Sequence, residues 1–191
     1  MPHAPAPAAI TDSSLLRLSA SAFVEVVNGE IVTMSPTGFL HNIVTGNVYD
    51  ILRTHVKQHR LGYVAGDGLI YVLRRDADSI RTARVPDVSF VRRNSIPAFD
   101  FDKPFPGAPS LAVEVVSPSE SEEETLAKIR DYLAYGTEEA WVIYPNQGEV
   151  HVYCRDVPKT IRVYIADDTL ESEALLPGLS VRVSAFFTLP D

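Results

Sequence analysis

Residues 111–119 read Leu-Ala-Val-Glu-Val-Val-Ser-Pro-Ser, and the fold turns on how this stretch is read. Leu111, Ala112, Val113, Val115 and Val116 are small apolar or β-forming residues, so the run predicts a buried central strand. Glu114 sits in the middle of it. An ionised carboxylate in an apolar strand costs several kcal/mol unless a metal ion, a basic partner or a set of donors compensates it. Ser117-Pro118 then stops the strand, and Ser119 or Ser121 is placed to cap a following helix.

Downstream, that helix is predicted over residues 122–135. Glu122, Glu123 and Glu124 stand in its first turn and Lys128 and Arg130 further along, the order the helix dipole favours, and Gly136 is a natural stop. Strands over 140–144 and 150–154 flank Pro145-Asn146-Gln147-Gly148, a hairpin signal. A further strand is read at 161–165 and a turn at 176–179. Val181 and Val183 alternate, and Phe186-Phe187 are expected to plug the edge of the core.

Upstream, a helical turn is read at 13–19 and a β-hairpin at 23–34, centred on Asn28-Gly29, the dipeptide a type I′ turn prefers. From Phe39 to about His59, Leu40, Ile43, Val44, Val48, Ile51, Leu52 and Val56 recur every three or four residues, predicting an amphipathic helix. Arg53, Lys57 and Arg60 lie at its C-terminal end, where cations suit the dipole. Short strands at 63–65 and 69–73 surround a Gly-Asp-Gly turn. Residues 85–91, Val-Pro-Asp-Val-Ser-Phe-Val, predict another strand with Pro86 near its start, and the four prolines of 94–109 predict a surface loop. Hairpin, helix, strands, helix, strands is an α+β order with a mixed β-sheet, not a regular βαβ series.

Composition bounds the function. A chain of 191 residues, 46% hydrophobic and 22% charged, supports one sizeable core, so one domain is expected over residues 13–191. The Pro- and Ala-rich residues 1–12 predict a disordered arm. That N-terminus lacks Lys, Arg and a long apolar run, so it does not read as a secretory signal. No apolar run approaches the roughly 20 residues of a membrane span. One cysteine, Cys154, excludes an internal disulfide and a Cys-rich zinc site and fits a cytoplasmic location. The net charge of −8 argues against a non-specific nucleic-acid binder. Between residues 74 and 93, however, Arg74, Arg75, Arg81, Arg84, Arg92 and Arg93 face only Asp76, Asp78 and Asp87. Two readings stand: a basic face that guides a polyanion, or a solvated arginine-rich loop.

Asp87, Glu114 and Lys128 carry the candidate chemistry. Two strand-borne carboxylates that converge suit an oxygen-loving divalent cation, Mg²⁺ or Mn²⁺. Such an ion activates water and stabilises charge on a phosphate, and a nearby lysine adds to that stabilisation. The structural alternatives are a turn residue at Asp87 and an ion pair at Glu114, for instance with an arginine of the 74–93 region. Helical periodicity alone does not choose between Lys128 and Arg130. No GxxxxGK[ST], GxGxxG or GxSxG motif occurs, and His55 and His59 lack the glutamate of a zincin.

At these residues the chain resembles the Uma-type restriction endonucleases, bacterial proteins of the PD-(D/E)xK nuclease superfamily. The resemblance runs from Val-Asn-Gly-Glu at 27–30 and His41 through 85–91 and 106–121 to Lys128–Gly136, Glu138–Pro145 and the Leu-Leu-Pro-Gly of 175–178. It implies a restriction-endonuclease-like core, a mixed sheet flanked by helices. It places Asp87 at the Asp of the PD element and Glu114 at the acid of the second element. The usual lysine two positions later is Val116 here, and the resemblance implies that Lys128 on the following helix replaces it. Glu30 and His41 match family positions that face the same cleft, while Ser117, Tyr132 and Trp141 are read as supports. A Mg²⁺-dependent endonuclease acting on DNA is implied, and a homodimer would suit cleavage of two strands. The rival is an inactive nuclease fold that serves as a nucleic-acid or protein binding module.

Overall fold

The computed structural model describes residues 9–77, 79–118 and 120–190. Of the arm expected over 1–12, residues 1–8 lie outside this range. Ile10 is tied down: its N–H donates to Ser79 Oγ at 3.1 Å and its carbonyl accepts Ile80 N–H at 2.7 Å. Helix α1 (Asp12–Ser19) follows, with Thr11 and Ser14 closing a reciprocal capping box.

Strands β1 (Val24–Val27) and β2 (Glu30–Thr33) form the expected hairpin. Asn28 and Gly29 both have positive φ, 53° and 84°, as a type I′ turn requires. Helix α2 (Phe39–His59) buries Val44, Val48, Leu52 and Val56 along one stripe and ends at Arg60 in the left-handed region. Next come β3 (Gly62–Ala65), β4 (Tyr71–Asp76), β5 (Ser79–Arg84) and β6 (Val88–Arg92).

Two expectations change here. Part of the arginine-rich stretch forms β5, paired with β4 through irregular register, because Ile80, Thr82 and Ala83 turn inward between the charges. The strand expected from residue 85 begins at Val88. Pro86 supplies no N–H for a ladder, and residues 85–87 carry the chain from one sheet to the next. The loop 94–109 holds a 3₁₀ turn (Arg93–Ser95 at its start) and the two-residue strand β7 (Phe105–Pro106).

Strand β8 (Leu111–Val115) is central, as its composition demands. Ser121 caps α3 (Glu122–Tyr135) in a box with Glu124; Ser119 lies outside the described residues. Then follow β9 (Glu139–Tyr144), β10 (Glu149–Cys154), β11 (Ile161–Ile165), β12 (Thr169–Glu171), β13 (Ser180–Arg182) and a 3₁₀ turn (Val183–Phe187).

The six-stranded sheet runs β11-β10-β9-β8-β6-β3 and the five-stranded sheet β2-β1-β5-β4-β7, with β12 and β13 as a separate ribbon. Within the larger sheet only β8 and β9 are parallel, joined by α3 as crossover. One face of this sheet, with Leu111, Val113, Val115, Trp141 and Ile143, packs on the α2 stripe and on Leu170, Leu175, Leu176 and Phe186. Its other face, with Ala112, Ala140 and Val142, packs on Ile129 and Tyr132 of α3 and on Tyr71 and Phe105 of the second sheet. Val26, Val72, Ile80 and Ala83 turn to the far side of the second sheet, against Leu15 of α1. The mixed α+β core with its N-terminal hairpin is the architecture expected. No helix among the described residues is long and apolar enough to cross a membrane.

Of the two phenylalanines expected at the edge of the core, Phe186 is fully buried and Phe187 only partly. Phe186→Ala is expected to lower stability by about 3–5 kcal/mol. Phe39→Ser, at a side chain 77% exposed, is expected to change it by less than about 0.5 kcal/mol. Urea midpoints of both variants check this.

Candidate functional site

Side chains alternate along β8, so Leu111, Val113 and Val115 face α2 while Ala112 and Glu114 face α3. Glu114 is 1% exposed. Two residues one helical turn apart on α3 meet it. Lys128 Nζ donates to Glu114 Oε2 at 3.1 Å, and Tyr132 Oη donates to Glu114 Oε1 at 2.7 Å. Lys128 also pairs with Glu120 Oε1 at 2.8 Å. Burial raises the Glu114 pKa, with the Lys128 charge pulling the other way and the Asp87 and Glu25 charges adding to the rise. Burial alone would lower the Lys128 pKa, but Glu114, Glu25 and Glu120 outweigh it and hold the ammonium protonated. Lys128, not an arginine of the 74–93 region, is the counter-ion of Glu114.

Asp87 stands at the corner before β6. The β6–β8 ladder begins at the Val88–Val113 pair, so the Val115 N–H has no strand partner on that side. It donates instead to Asp87 Oδ2 at 2.7 Å. His41, in the first turn of α2 and 7% exposed, brings Nε2 to 3.3 Å from the same oxygen. Burial would lower the His41 pKa, but the hydrogen bond and charge of Asp87 outweigh it and the net shift is upward. Asp87 Oδ1 has no hydrogen-bond partner among the described residues.

A cleft of about 340 Å³ opens over this group, lined by His41, Asp87, Ser117, Glu120, Lys128 and, from the hairpin, Glu25, Val27, Val32 and Thr33 among others. Four of the expected positions, His41, Asp87, Glu114 and Lys128, therefore come together. Glu30 does not: it is exposed at the hairpin turn and does not line the cleft. The acid that the hairpin contributes is Glu25, 2% exposed. Its Oε2 accepts Arg84 Nη1 at 2.6 Å and its Oε1 accepts Val85 N–H at 3.0 Å. Arg84 also donates to Asp131 Oδ2 on α3 from Nε at 2.9 Å and Nη2 at 2.6 Å.

Tyr132 takes the supporting place that the resemblance implies. Glu25, set between Val24 and Val26 on β1, carries no such signal in the sequence, and only its contacts with Arg84 and Val85 reveal it. Asp67, on the turn after β3, was read only as a turn residue. Desolvation, and then the Asp87 charge, raise its pKa, and the charges of His41 and Lys128 act on it. Of the two readings of residues 74–93, the basic face is largely spent on acids: Arg74 and Arg81 pair with Asp76, Arg75 with Asp12, Arg84 with Glu25 and Asp131, and Arg92 with Glu138.

The donor atoms of the site are oxygens, the ligand type a hard cation takes. Among the described residues no group of three or more His, Cys, Asp or Glu side chains is placed to cage a metal. Mg²⁺ ordinarily binds through one or two carboxylates together with water and substrate phosphates, so it needs no such cage. Asp87 Oδ1 and the remaining lone pairs of Glu114 are oxygen donors of that kind. Burial is the main cause of the raised pKa values of Asp67 and Glu114, and the Asp87 charge adds to both; a nearby divalent cation would act in the opposite direction. The residues fit Mg²⁺ or Mn²⁺.

Comparison with known proteins bears on the family and the fold. The model of the family described as "Uma2: Putative restriction endonuclease" matches residues 13–184. No curated protein sequence matches the chain. Among solved structures, the chain is similar to the crystal structure described as "a putative nuclease belonging to DUF820" from Anabaena variabilis ATCC 29413. The TM-score is 0.76 at 21% identity, over 93% of this chain and 97% of that one. At that identity the likeness shows the fold.

Two predictions follow from the geometry. In an NMR titration His41 is expected to show a raised pKa, and Asp87→Asn is expected to lower it, because burial is then opposed only by the smaller effects of the Asp67 charge and the Val115 backbone. The sign for stability is set by the raised value: the His41 contribution is fully present below pH 6.5 and is lost as pH rises through the folded-state pKa. Lys128→Met leaves a buried carboxylate without its counter-ion and is expected to cost about 3–5 kcal/mol, most of it recovered in the Glu114→Gln/Lys128→Met double variant. Chemical denaturation of the two variants measures both.

Proposed function

The chain belongs to the Uma2 family, and we propose that its cleft is the active site of a metal-dependent endonuclease that hydrolyses DNA phosphodiester bonds. One observation carries this reading. A carboxylate at the corner before β6, Asp87, and a lysine held as a cation, Lys128, line one open cleft, and Glu114 of β8 is buried directly behind the lysine as its ion-pair partner. An ion-pair network serving stability alone has no need of a cleft.

Asp87 and Glu114 would hold Mg²⁺ or Mn²⁺, which supplies charge neutralisation and a more acidic water. The chain's own groups do the rest. The Val115 N–H and His41 fix the Asp87 carboxylate, and Tyr132 and Lys128 fix that of Glu114. The Lys128 ammonium faces the cleft and stabilises negative charge as it builds on the phosphate oxygens. Water oxygen attacks phosphorus, the P–O bond opposite it breaks, and the leaving oxygen takes a proton, giving a phosphomonoester and an alcohol. Glu120, the second partner of Lys128, keeps the ammonium turned toward the cleft mouth.

The second reading is a binding module without catalysis. It is favoured by Lys128 being engaged by two carboxylates and by Val116 standing where the superfamily usually has its lysine. Supercoiled plasmid incubated with the purified protein separates the two. With Mg²⁺ or Mn²⁺ the protein is expected to nick it, and with chelator it is not. Asp87→Ala, Glu114→Gln and Lys128→Ala are each expected to lower the rate by about 10²–10³. The rate is expected to climb with pH beyond the ordinary carboxylate range, since the raised Glu114 pKa keeps part of it protonated, and unable to hold a cation, at lower pH. No nicking under any condition, by folded protein, selects the binding module; nicking that survives all three substitutions sinks this site.

A further inference from the structure

A second cleft, also about 340 Å³, lies at the C-terminal end of α2 against the edge strand β3. Arg53, Lys57, Arg60 and Arg93 line it, together with Gly62 and Tyr63, and no acidic residue does. The chain has 17 Lys and Arg, and nine of them pair with an acid: Arg74, Arg75, Arg81, Arg84, Arg92, Lys103, Lys128, Arg155 and Arg162. Among the described residues eight therefore lack an acidic partner, and four of those eight share this one cleft. On a protein of net charge −8, such a gathering of unneutralised cations is not a random scatter.

The helix dipole explains part of it, since Lys57 and Arg60 sit at a helix C-terminus. It does not explain Arg93, which arrives from the end of β6 and is held there by its N–H donating to the Leu61 carbonyl at 2.9 Å. Nor does it explain Tyr63, an aromatic side chain 60% exposed beside the cations. The floor is built for close approach. A Cβ on Gly62 would fall 2.0 Å from the Val91 carbonyl oxygen and 2.9 Å from the Arg93 nitrogen, so any larger residue would push β3 off β6 and move Arg93. A cationic groove with an exposed aromatic ring beside it matches the chemistry of single-stranded nucleic acid, whose phosphates take the cations and whose unstacked bases take the ring.

We propose that this cleft docks the phosphodiester backbone of a single-stranded nucleic acid, with Tyr63 stacking on a base. Helix α2 links it to the first cleft: His41 is 12 residues from Arg53 and 16 from Lys57, roughly 18–24 Å along the axis at 1.5 Å per residue. At helical spacing that is about five to seven nucleotides. The inference goes beyond the hydrolytic reading, because binding here requires neither metal nor cleavage.

Fluorescence anisotropy with a labelled 15-mer of dT, in chelator, tests it. Lys57→Ala/Arg93→Ala is expected to weaken binding at least tenfold at low salt and to flatten the slope of log K against log salt by about 0.7 for each cation removed. Tyr63→Ala is expected to weaken binding at least about fivefold with the slope unchanged. All three side chains are exposed, so folding survives, and thermal melts verify it. Binding of dT that is indifferent to these substitutions overturns the inference. So does tighter binding to phosphatidylserine vesicles than to dT, or complete displacement of dT by millimolar inorganic phosphate. Hydrolysis of bis(p-nitrophenyl) phosphate, too small to span both clefts, reads the first cleft separately. Protein that binds dT here but hydrolyses nothing retains this inference and loses the nuclease reading; the converse result reverses the two.

Discussion

A carboxylate in the middle of the central strand is the constraint on which the rest depends. Glu114 is enclosed on every side, and two donors from one turn of α3 compensate it. That requirement sets the rotation of α3 about its axis, because Lys128 and Tyr132 must both point at β8. It also sets the helix's position along the crossover from β8 to β9, the one parallel pair of the larger sheet. The apolar contacts of Ile129 with the same sheet face follow from that placement. Hydrophobic burial would tolerate some sliding of α3; a two-point contact with a buried charge does not.

A second buried cation repeats the device between layers. Arg84 at the end of β5 spans Glu25 on the hairpin and Asp131 on α3, and so pins the second sheet to the helix. Directly after it, Pro86 ends the pairing of one sheet and Asp87 begins the approach to the other. The corner is thus both a structural joint and the place where a carboxylate reaches an otherwise unpaired strand N–H. Acids outnumber cations around the first cleft, which is the electrostatic condition for recruiting a cation. At the other end of α2 the balance is reversed. One helix links an acid-rich cleft to a cation-rich one.

The lysine's position has a geometric rationale. A residue two places after Glu114 shares its face of the sheet, and Val116 uses that place to pack against the apolar cluster beneath α3. Lys128 reaches the same carboxylate from the helix above. Charge is thereby delivered to one point in space from a different stretch of backbone, and the strand end is released to pack.

Local pattern was enough for most elements. Asn28-Gly29 dictated the hairpin, the apolar stripe dictated α2, and the run of acids followed by Gly136 bounded α3, because turn chemistry, helical period and capping are written in neighbouring residues. The same locality explains the misses. Strand β5 has a charge at every second or third position and shows its inward face only once β1 and β4 flank it. Asp87, Glu114 and Lys128, with Tyr132 as a support, were legible as candidates from residue type and resemblance, but Glu25 and Asp67 entered only through distance in space. Residue order carried the elements, the buried strand and the need to compensate the carboxylate within it. The packing of those elements chose which cation compensates it, which arginines are spent on acids and which four cations are left in one cleft, because ion pairing depends on through-space distance between segments that chain order does not encode.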